Sequence, residues 1–402
     1  MHLKYIKFGL PALIILLGVV SCKSDQKNIH NTIAVEKTDS CQVNPSHKYE
    51  VFIPAHNESI KTLPLLVAID PHGDGKLALN LFKQAATEYP AVVIGSNLIQ
   101  NNDPNYMNEM EELIADVKKR YPVNDMLYLS GFSGGARMIL NFAANHPVNG
   151  VIACGAFANE KELQSIKCPV MSITGMDDFN FMESAQYVLN PSQTPKQILV
   201  ELTNETHAWP HANILTGVWG YFRVFGTGGD KHQVKKYAEQ QMARVNSLEN
   251  NGSLLQAVMI SRNMGLNSAV NDAADFKSRT GELMKNSVYE QQRNQLMKGL
   301  QLEMKVRQAY MKALEDNGAD WWSKEVASLN MKISDATDEI SRDTYQRIKG
   351  FLGIVCYSYC NRYAAQKNVA GLEHILAVYR IAEPYNEDMK HFTEVLAELK
   401  NN

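Results

Sequence analysis

Short apolar runs alternate with helix-length amphipathic segments in the first half of the chain. Seven of the runs predict β-strands, over residues 49–54, 65–70, 91–97, 126–130, 150–155, 170–175 and 197–203. Between two of them, residues 106–121 carry apolar side chains at helical spacing and predict a helix. Apolar strands that alternate with helices predict an α/β protein with a doubly wound, mostly parallel sheet. Because ligands bind beyond the carboxyl ends of such strands, we expect the chemistry directly after each apolar run.

The second half of the chain has a helical period throughout, from about residue 230 to residue 402. Thirteen of the fourteen prolines lie at or before Pro210, and only Pro384 comes later. Since proline is excluded from helix interiors, this distribution predicts an all-α domain over residues 227–402, after an α/β domain over residues 46–226. The glycine-rich stretch 226–230 separates the two. Predicted helices cover residues 292–314, 340–363, 372–382 and 387–399.

The N-terminus has the composition of an export signal. Lys4 and Lys7 precede an apolar run over residues 8–20, which is too short to cross a bilayer, so residues 1–21 are predicted to be a signal peptide. The end of this run, Val19-Val20-Ser21-Cys22, resembles the lipobox of bacterial lipoproteins, although leucine is usual where Val19 stands. The resemblance implies a lipid-modified Cys22 and an exported protein anchored to the bacterial cell envelope. The alternative is an ordinary cleaved signal peptide with an incidental cysteine.

A polar, unpatterned stretch follows Cys22, and residues 22–45 are predicted to form a flexible tether. An exported chain meets an oxidising compartment, where disulfides can form. With Cys22 lipidated, five cysteines remain, so at least one is unpaired. Cys356 and Cys360 lie four apart on a predicted helix, a spacing more typical of core packing than of a bridge.

Composition excludes several classes of protein. The net charge of −3 over 402 residues argues against a broad nucleic-acid interface. The apolar fraction of 45% excludes both a disordered chain and a protein with many membrane spans. No histidine and cysteine grouping in the helical half has metal-ligand spacing, and no glycine-rich loop suits a nucleotide phosphate. We therefore expect neither a metal nor a cofactor.

A candidate nucleophile follows the fourth predicted strand. The chain there reads Gly131-Phe132-Ser133-Gly134-Gly135 and continues into a predicted helix, which is the pattern G-x-S-x-G between a strand and a helix. Small residues on both sides of the serine permit a sharp turn that lifts its hydroxyl above the sheet. The turn also places Ser133 at a helix N-terminus, where developing negative charge is favoured.

A catalytic acid and base should follow the serine, each after a later strand. Asp178 follows the strand at 170–175 and is the predicted acid, with the adjacent Asp177 as the alternative. His207 follows the strand at 197–203 and is the predicted base. His211 and His146 are weaker candidates for the base.

The same chemistry needs backbone donors for an oxyanion. The N–H of Gly134, directly after the serine, is the first candidate. The second is expected in the loop Pro71-His72-Gly73-Asp74-Gly75, from the N–H of Gly73 or Asp74. His72 is interpreted as a residue that shapes this loop, not as a second base.

Residues 46–225 resemble an α/β-hydrolase, with His72-Gly73, the segment 131–135, Asp178 and His207 in the order of that family. The string His207-Ala208-Trp209-Pro210 is similar to the histidine loop of the polyhydroxybutyrate-depolymerase and feruloyl-esterase-like branch. The resemblance implies a secreted, lidless domain that cleaves esters. Two features depart from the family pattern: the first strands are abbreviated, and the loop after the second strand lacks a full HGGG run.

These observations predict a serine hydrolase that acts on a small-molecule or polymer-linked carboxylic ester. One alternative is a serine peptidase with the same triad. Another is a non-catalytic binding or scaffold lipoprotein that acts on a protein partner through its helical domain. The helices on either side of Glu383-Pro384-Tyr385-Asn386 weakly resemble tetratricopeptide-type hairpins, in which a proline ends one helix near a turn, although no clean internal period is present.

Overall fold

The computed structural model describes residues 31–226, 230–267 and 273–401. The predicted signal peptide, Cys22 and the first part of the predicted tether lie outside these residues. Eight strands form one sheet in the order β1-β2-β4-β3-β5-β6-β7-β8. Their bounds are β1 Val35–Ser40, β2 Lys48–Ile53, β3 Leu63–Ile69, β4 Val92–Ser96, β5 Val123–Phe132, β6 Gly150–Cys154, β7 Val170–Gly175 and β8 Ile198–Thr203.

The sheet is parallel except at one edge. Strand β2 pairs antiparallel with both β1 and β4, and every other pairing is parallel. All seven predicted strands are present, to within two or three residues at most ends. The predicted fold class is confirmed: a doubly wound, mostly parallel sheet with the strand arrangement of an α/β-hydrolase fold, followed by helices.

Helices cover both faces of the sheet because the strands are apolar on both faces. Along β3, Leu65 and Val67 pack with the helices of one face, while Leu66 and Ala68 pack with those of the other. The helices in this part of the chain are α1 Gly75–Glu88, α2 Tyr106–Arg120, α3 Gly134–Asn145, α4 Glu160–Ser165, α5 Ala185–Leu189 and α6 Ala212–Gly226. Helices α2 and α3 lie on the first face, and α1 and α6 on the second.

The predicted tether extends too far towards the C-terminus. Residues Val35–Ser40, within the predicted tether 22–45, form strand β1 and pair with β2 along its whole length. The strand was missed because five of its six residues are polar or charged and four are exposed, as is common for a strand at a sheet edge. Arg120 fixes this edge from the body of the protein by an ion pair with Asp39, at 2.6 Å.

The remainder of the described chain is helical, as predicted. The helices are α7 Lys231–Asn250, α8 Leu254–Gly265, α9 Ala273–Met284, α10 Ser287–Asp316, α11 Ala319–Asp335, α12 Glu339–Ala365, α13 Val369–Ala382 and α14 Asp388–Asn401. The four helices predicted by position, over residues 292–314, 340–363, 372–382 and 387–399, correspond to α10, α12, α13 and α14.

The chain becomes entirely helical after residue 226, but the hydrophobic core of the α/β body continues into the first of these helices. Tyr237 of α7 and Phe276 of α9 are buried in the same cluster as Trp219 of α6 and residues of the sheet. Arg262 of α8 is buried and donates to the carbonyls of Ile198 and Thr194, at 2.9 and 2.8 Å. A separate core begins only near the end of α10 and spans α11–α14. Helices α7–α9 are therefore an additional layer on the α/β body, a feature that helical periodicity alone could not reveal.

Over the part of the chain that the structure describes, none of the helices combines the length and hydrophobicity needed to cross a bilayer.

The five cysteines in the described part of the chain are buried and unpaired. Cys356 and Cys360 lie on α12 and pack into the C-terminal core, in agreement with the interpretation of their spacing.

Candidate active site

Ser133 occupies a sharp turn between β5 and α3. Its backbone has φ 51° and ψ −114°, a strained conformation for a residue with a side chain. The turn requires glycine at positions 131 and 135, two residues to either side of the serine. A Cβ on Gly131 would lie 2.5 Å from the Gly135 carbonyl carbon, and one on Gly135 would lie 2.2 Å from the Ile69 carbonyl oxygen. The spacing of small residues in the sequence motif thus follows from the close approach of strand and helix.

The structure brings Ser133, His207 and Asp178 together. The Oγ atom of Ser133 lies 2.9 Å from Nε2 of His207. The Nδ1 atom of the same ring lies 2.9 and 3.0 Å from the two carboxylate oxygens of Asp178. A carboxylate that accepts from Nδ1–H leaves Nε2 free to accept the serine proton. This arrangement of hydroxyl, imidazole and carboxylate can therefore generate an oxygen nucleophile.

Of the two adjacent aspartates after β7, Asp178 is the one that contacts the histidine. It is 1% exposed and also accepts a hydrogen bond from the N–H of Asn180, at 2.7 Å. The side chain of Asp177 points elsewhere, and its buried Oδ1 has no hydrogen-bond partner among the described residues. Because serine, histidine and the buried carboxylate converge, the choice of Asp178 over Asp177 agrees with the geometry.

The weaker histidine candidates lie apart from this hydrogen-bonded chain. His211 has an 82% exposed side chain beside Glu205, and His146 contacts Glu111 at 2.9 Å at the end of α3. His72 has an exposed ring, and its backbone N–H donates to Asp70, at 2.8 Å. His72 thus takes part in shaping its loop, as expected.

Aromatic side chains that the sequence analysis did not single out hold the imidazole in place. The ring centroid of His207 lies 4.8 Å from that of Phe132 and 4.1 Å from that of Phe179. Trp209 packs on Phe132 and donates from its indole N–H to Asp70, at 2.8 Å. The histidine loop is therefore tied to the end of β3. The tryptophan two residues after the histidine was visible in the sequence, but nothing in the sequence identified its partner.

The backbone donors proposed for an oxyanion differ in availability. Gly134 begins α3, and a Cβ there would lie 1.7 Å from Oδ1 of Asn101, so the Asn101 carboxamide lies directly over this glycine. The N–H of Gly73 donates to the carbonyl of Asp70, at 3.1 Å, within its own turn. This hydrogen bond makes Gly73 a poor second donor. Asp74 caps α1 through its side chain, and its N–H is the better candidate in that loop.

A cavity of about 240 Å³ lies behind the loop that carries Asp177. It is bounded by Met176, by α8 and by the start of α12, where Asp343 is 7% exposed. Burial, together with the negative charges of Asp177 and Glu339, raises the pKa of Asp343 to about 7, against the opposing effect of Arg347 and Arg342. Asp177 likewise has a raised pKa, mainly because of burial.

Replacing Asp343 with asparagine should raise the free energy of unfolding at pH 8. Folding raises the pKa of this carboxyl from 3.8 to about 7. Between these pH values the unfolded chain has lost the proton and the folded protein has kept it, so the free energy of unfolding falls as the pH increases. We expect a gain on the order of a few kcal/mol at pH 8 that becomes small near pH 4, close to the pKa of the carboxyl in the unfolded chain. Urea unfolding of both proteins at pH 4, 6 and 8 measures this difference. A gain that does not depend on pH would contradict the assignment.

Within the described ranges 31–226, 230–267 and 273–401, no group of three or more histidine, cysteine, aspartate or glutamate side chains could hold a metal ion.

No family model matches the sequence, and no curated protein matches it. Several solved structures are similar over about half of the chain. A fluorophosphonate-binding serine hydrolase of Staphylococcus aureus, solved with substrate bound, is 13% identical with a TM-score of 0.39, covering 48% of this chain and 98% of its own. Est1E from Butyrivibrio proteoclasticus is 12% identical with a TM-score of 0.38, covering 48% of this chain and 99% of its own. The 2,6-dihydroxy-pseudo-oxynicotine hydrolase is 12% identical with a TM-score of 0.37, covering 48% and 68%. At TM-scores below 0.5 these likenesses carry no argument about function, so any assignment depends on the geometry of the site.

Proposed function

We propose that the protein is a serine hydrolase that cleaves a carboxylic ester through Ser133, His207 and Asp178. One observation carries the proposal: a continuous hydrogen-bonded chain from the serine hydroxyl through the imidazole to a buried carboxylate, with distances of 2.9 Å on both sides of the ring. The strained backbone of Ser133 adds to it, since strain at a strand-to-helix turn is common where a nucleophile must be exposed.

The geometry supports a two-step acyl transfer. Ser133 Oγ attacks the ester carbonyl while His207 Nε2 takes its proton, and the carbonyl oxygen becomes an oxyanion that accepts from the N–H groups of Gly134 and Asp74. The tetrahedral intermediate collapses, and His207 returns the proton to the departing alcohol. Water then attacks the acyl-enzyme with His207 again as base, which releases the carboxylic acid and restores the Ser133 hydroxyl.

The exposure of the site and the short connection beside it support a proposal for the substrate class. Ser133 is half-buried, and the side chain of His207 remains 18% exposed. The connection between β6 and β7 contains only the six-residue helix α4, which leaves no room there for a large lid. An open site favours short-chain, aryl or carbohydrate-linked esters, either as small molecules or as groups on a polymer.

Hydrolysis assays test the proposal. The wild-type protein should release p-nitrophenol from p-nitrophenyl acetate and butyrate, and should leave chromogenic peptides intact. Ser133→Ala should abolish the activity. Ser130→Ala is the matched control, because it removes a buried hydroxyl on the same strand that donates to the Ile152 carbonyl, at 3.1 Å, and is not part of the proposed triad.

Two other outcomes would replace the proposal. Cleavage of peptides in preference to esters would support the serine peptidase. A folded wild-type protein that cleaves neither, and that behaves as Ser133→Ala does, would support a binding or scaffold role through the helical region.

We also propose that Cys22 carries a lipid that anchors the protein to the cell envelope. The motif at the end of the apolar N-terminal run supports this, and Cys22 lies outside the described residues. Metabolic labelling with a fatty acid in a bacterial host should mark the wild-type protein and not Cys22→Ser. Equal labelling of the two would contradict the anchor.

A further inference from the structure

The loop that carries the proposed acid is bonded to two helices of the C-terminal half. We define residues 176–179, which contain Asp177 and Asp178, as the acid loop. Arg347 of α12 donates from Nη1 to the carbonyl of Met176, and Arg307 of α10 donates to the carbonyl of Phe179, at 2.5 Å. The two carbonyls lie on either side of the aspartate pair, so both ends of the acid loop are held from outside the α/β body.

A single carboxylate links the two arginines. Glu303 accepts from Nε of Arg347 at 2.7 Å with one oxygen and from Arg307 with the other. The side chains of Glu303 and Arg347 are fully buried, and that of Arg307 is 17% exposed. Charged hydrogen bonds in such a dry setting are geometrically strict, because a buried charge that loses its partner is costly. The three side chains therefore form a rigid clamp, which we call the arginine clamp.

The arginine clamp reaches the proposed catalytic histidine by two routes. Asp178 lies between the two held carbonyls and bonds His207 directly, at 2.9 Å. Phe179, whose carbonyl Arg307 holds, places its ring 4.1 Å from the imidazole. Gly350 of α12 also lies against the Phe179 side chain, since a Cβ at position 350 would be 3.3 Å from Phe179 Cδ1. A shift of the acid loop would thus move both the carboxylate and the aromatic support of the base.

From these contacts we infer that Glu303, Arg307 and Arg347 are positioning residues, which orient Asp178 and Phe179 towards His207. The inference rests on the proposed function and extends it, because it makes the helical half a part of the catalytic apparatus. The clamp residues do not touch the substrate or the reacting atoms. They act through the acid loop, whose misplacement by about 1 Å is enough to cost about 100-fold in rate.

Arg307→Met tests the inference in the full-length protein. This variant removes the donor to Phe179 and leaves Glu303 paired with Arg347, so folding is expected to survive. We expect kcat for p-nitrophenyl butyrate to fall about 10- to 100-fold with little change in KM, because the acid loop orients the base and does not bind substrate. Arg307→Lys retains a cation and a donor and should recover much of the loss.

Arg293→Met is the matched control. Arg293 lies on the same helix, α10, and also donates to a backbone carbonyl of the α/β body, that of Leu189 at the end of α5, at 2.7 Å. Its removal weakens the same packing of α10 without touching the acid loop. It should leave kcat within about threefold of wild type, and urea midpoints measured for both variants show how far each is destabilised.

The outcomes separate this inference from the proposed function. Equal kcat values for folded Arg307→Met and Arg293→Met, in an active wild-type background, would overturn the arginine clamp alone. If a fluorophosphonate reacts with Ser133 at the same rate in the two variants, that result would also overturn the positioning role of the arginine clamp. A wild-type protein that neither hydrolyses esters nor reacts with the fluorophosphonate would overturn the proposed function, and the inference with it. If Arg307→Met does not fold, Arg307→Gln, which replaces the cation with a shorter neutral side chain, takes its place, and a kcat equal to wild type for this folded variant would also overturn the inference.

Discussion

Replacing His207 with alanine should lower kcat for p-nitrophenyl butyrate by about 10⁴- to 10⁶-fold. In the wild-type structure the serine hydroxyl has the imidazole Nε2 at 2.9 Å as its proton acceptor. Without it, attack on the ester must proceed with the proton still on Ser133, and the leaving alcohol has no proton donor. The remaining backbone donors account for the residual rate. Initial rates at high enzyme concentration, corrected for spontaneous hydrolysis, measure the effect.

His211→Ala is the control for this experiment. It lies four residues further along the same loop and has an exposed ring, so its removal should change kcat by less than about threefold. A protein in which His211→Ala is inactive and His207→Ala is active would contradict the proposed base.

Replacing Asp178 with asparagine should lower kcat by about 10⁴-fold. An asparagine amide can donate to Nδ1, which would place the ring proton on Nε2 and remove the acceptor for the serine proton. The fold should be kept, because the Oδ1 of asparagine can still accept the Asn180 N–H that Asp178 now accepts at 2.7 Å. The readout is kcat together with an unchanged circular dichroism spectrum.

The adjacent substitution Asp177→Asn distinguishes the two carboxylates. Asp177 has no contact with the imidazole, and its buried Oδ1 lacks a hydrogen-bond partner within the described residues, so the change should leave kcat within about tenfold of wild type. A larger loss for Asp177→Asn than for Asp178→Asn would reverse the assignment of the acid.

Local patterns were sufficient to predict the sheet and the three proposed catalytic side chains. The apolar runs marked seven strands because parallel strands are buried on both faces, and the motif around Ser133 marked the turn because only small residues permit it. Asp178 and His207 were proposed because each follows a strand whose carboxyl end lies on the same edge of the sheet as Ser133. These features depend on residues close together in the sequence or on a general property of parallel sheets.

What the sequence could not predict depends on contacts between distant segments. Strand β1 was missed because an exposed edge strand has the composition of a tether. The packing of α7–α9 on the sheet was missed because helical periodicity does not say which surface a helix covers. Arg307 and Arg347 were missed for the same reason. The local sequence does not show whether an arginine on a helix faces solvent or donates to the backbone carbonyl of a distant segment, as these two do.

The most direct test of the account is to react the native protein with a fluorophosphonate and to locate the adduct by peptide mass spectrometry. The account predicts one modified residue, Ser133, with modification lost in Ser133→Ala and strongly slowed in His207→Ala. A native protein that gains no adduct, or one whose adduct lies on another residue and persists in Ser133→Ala, would contradict it.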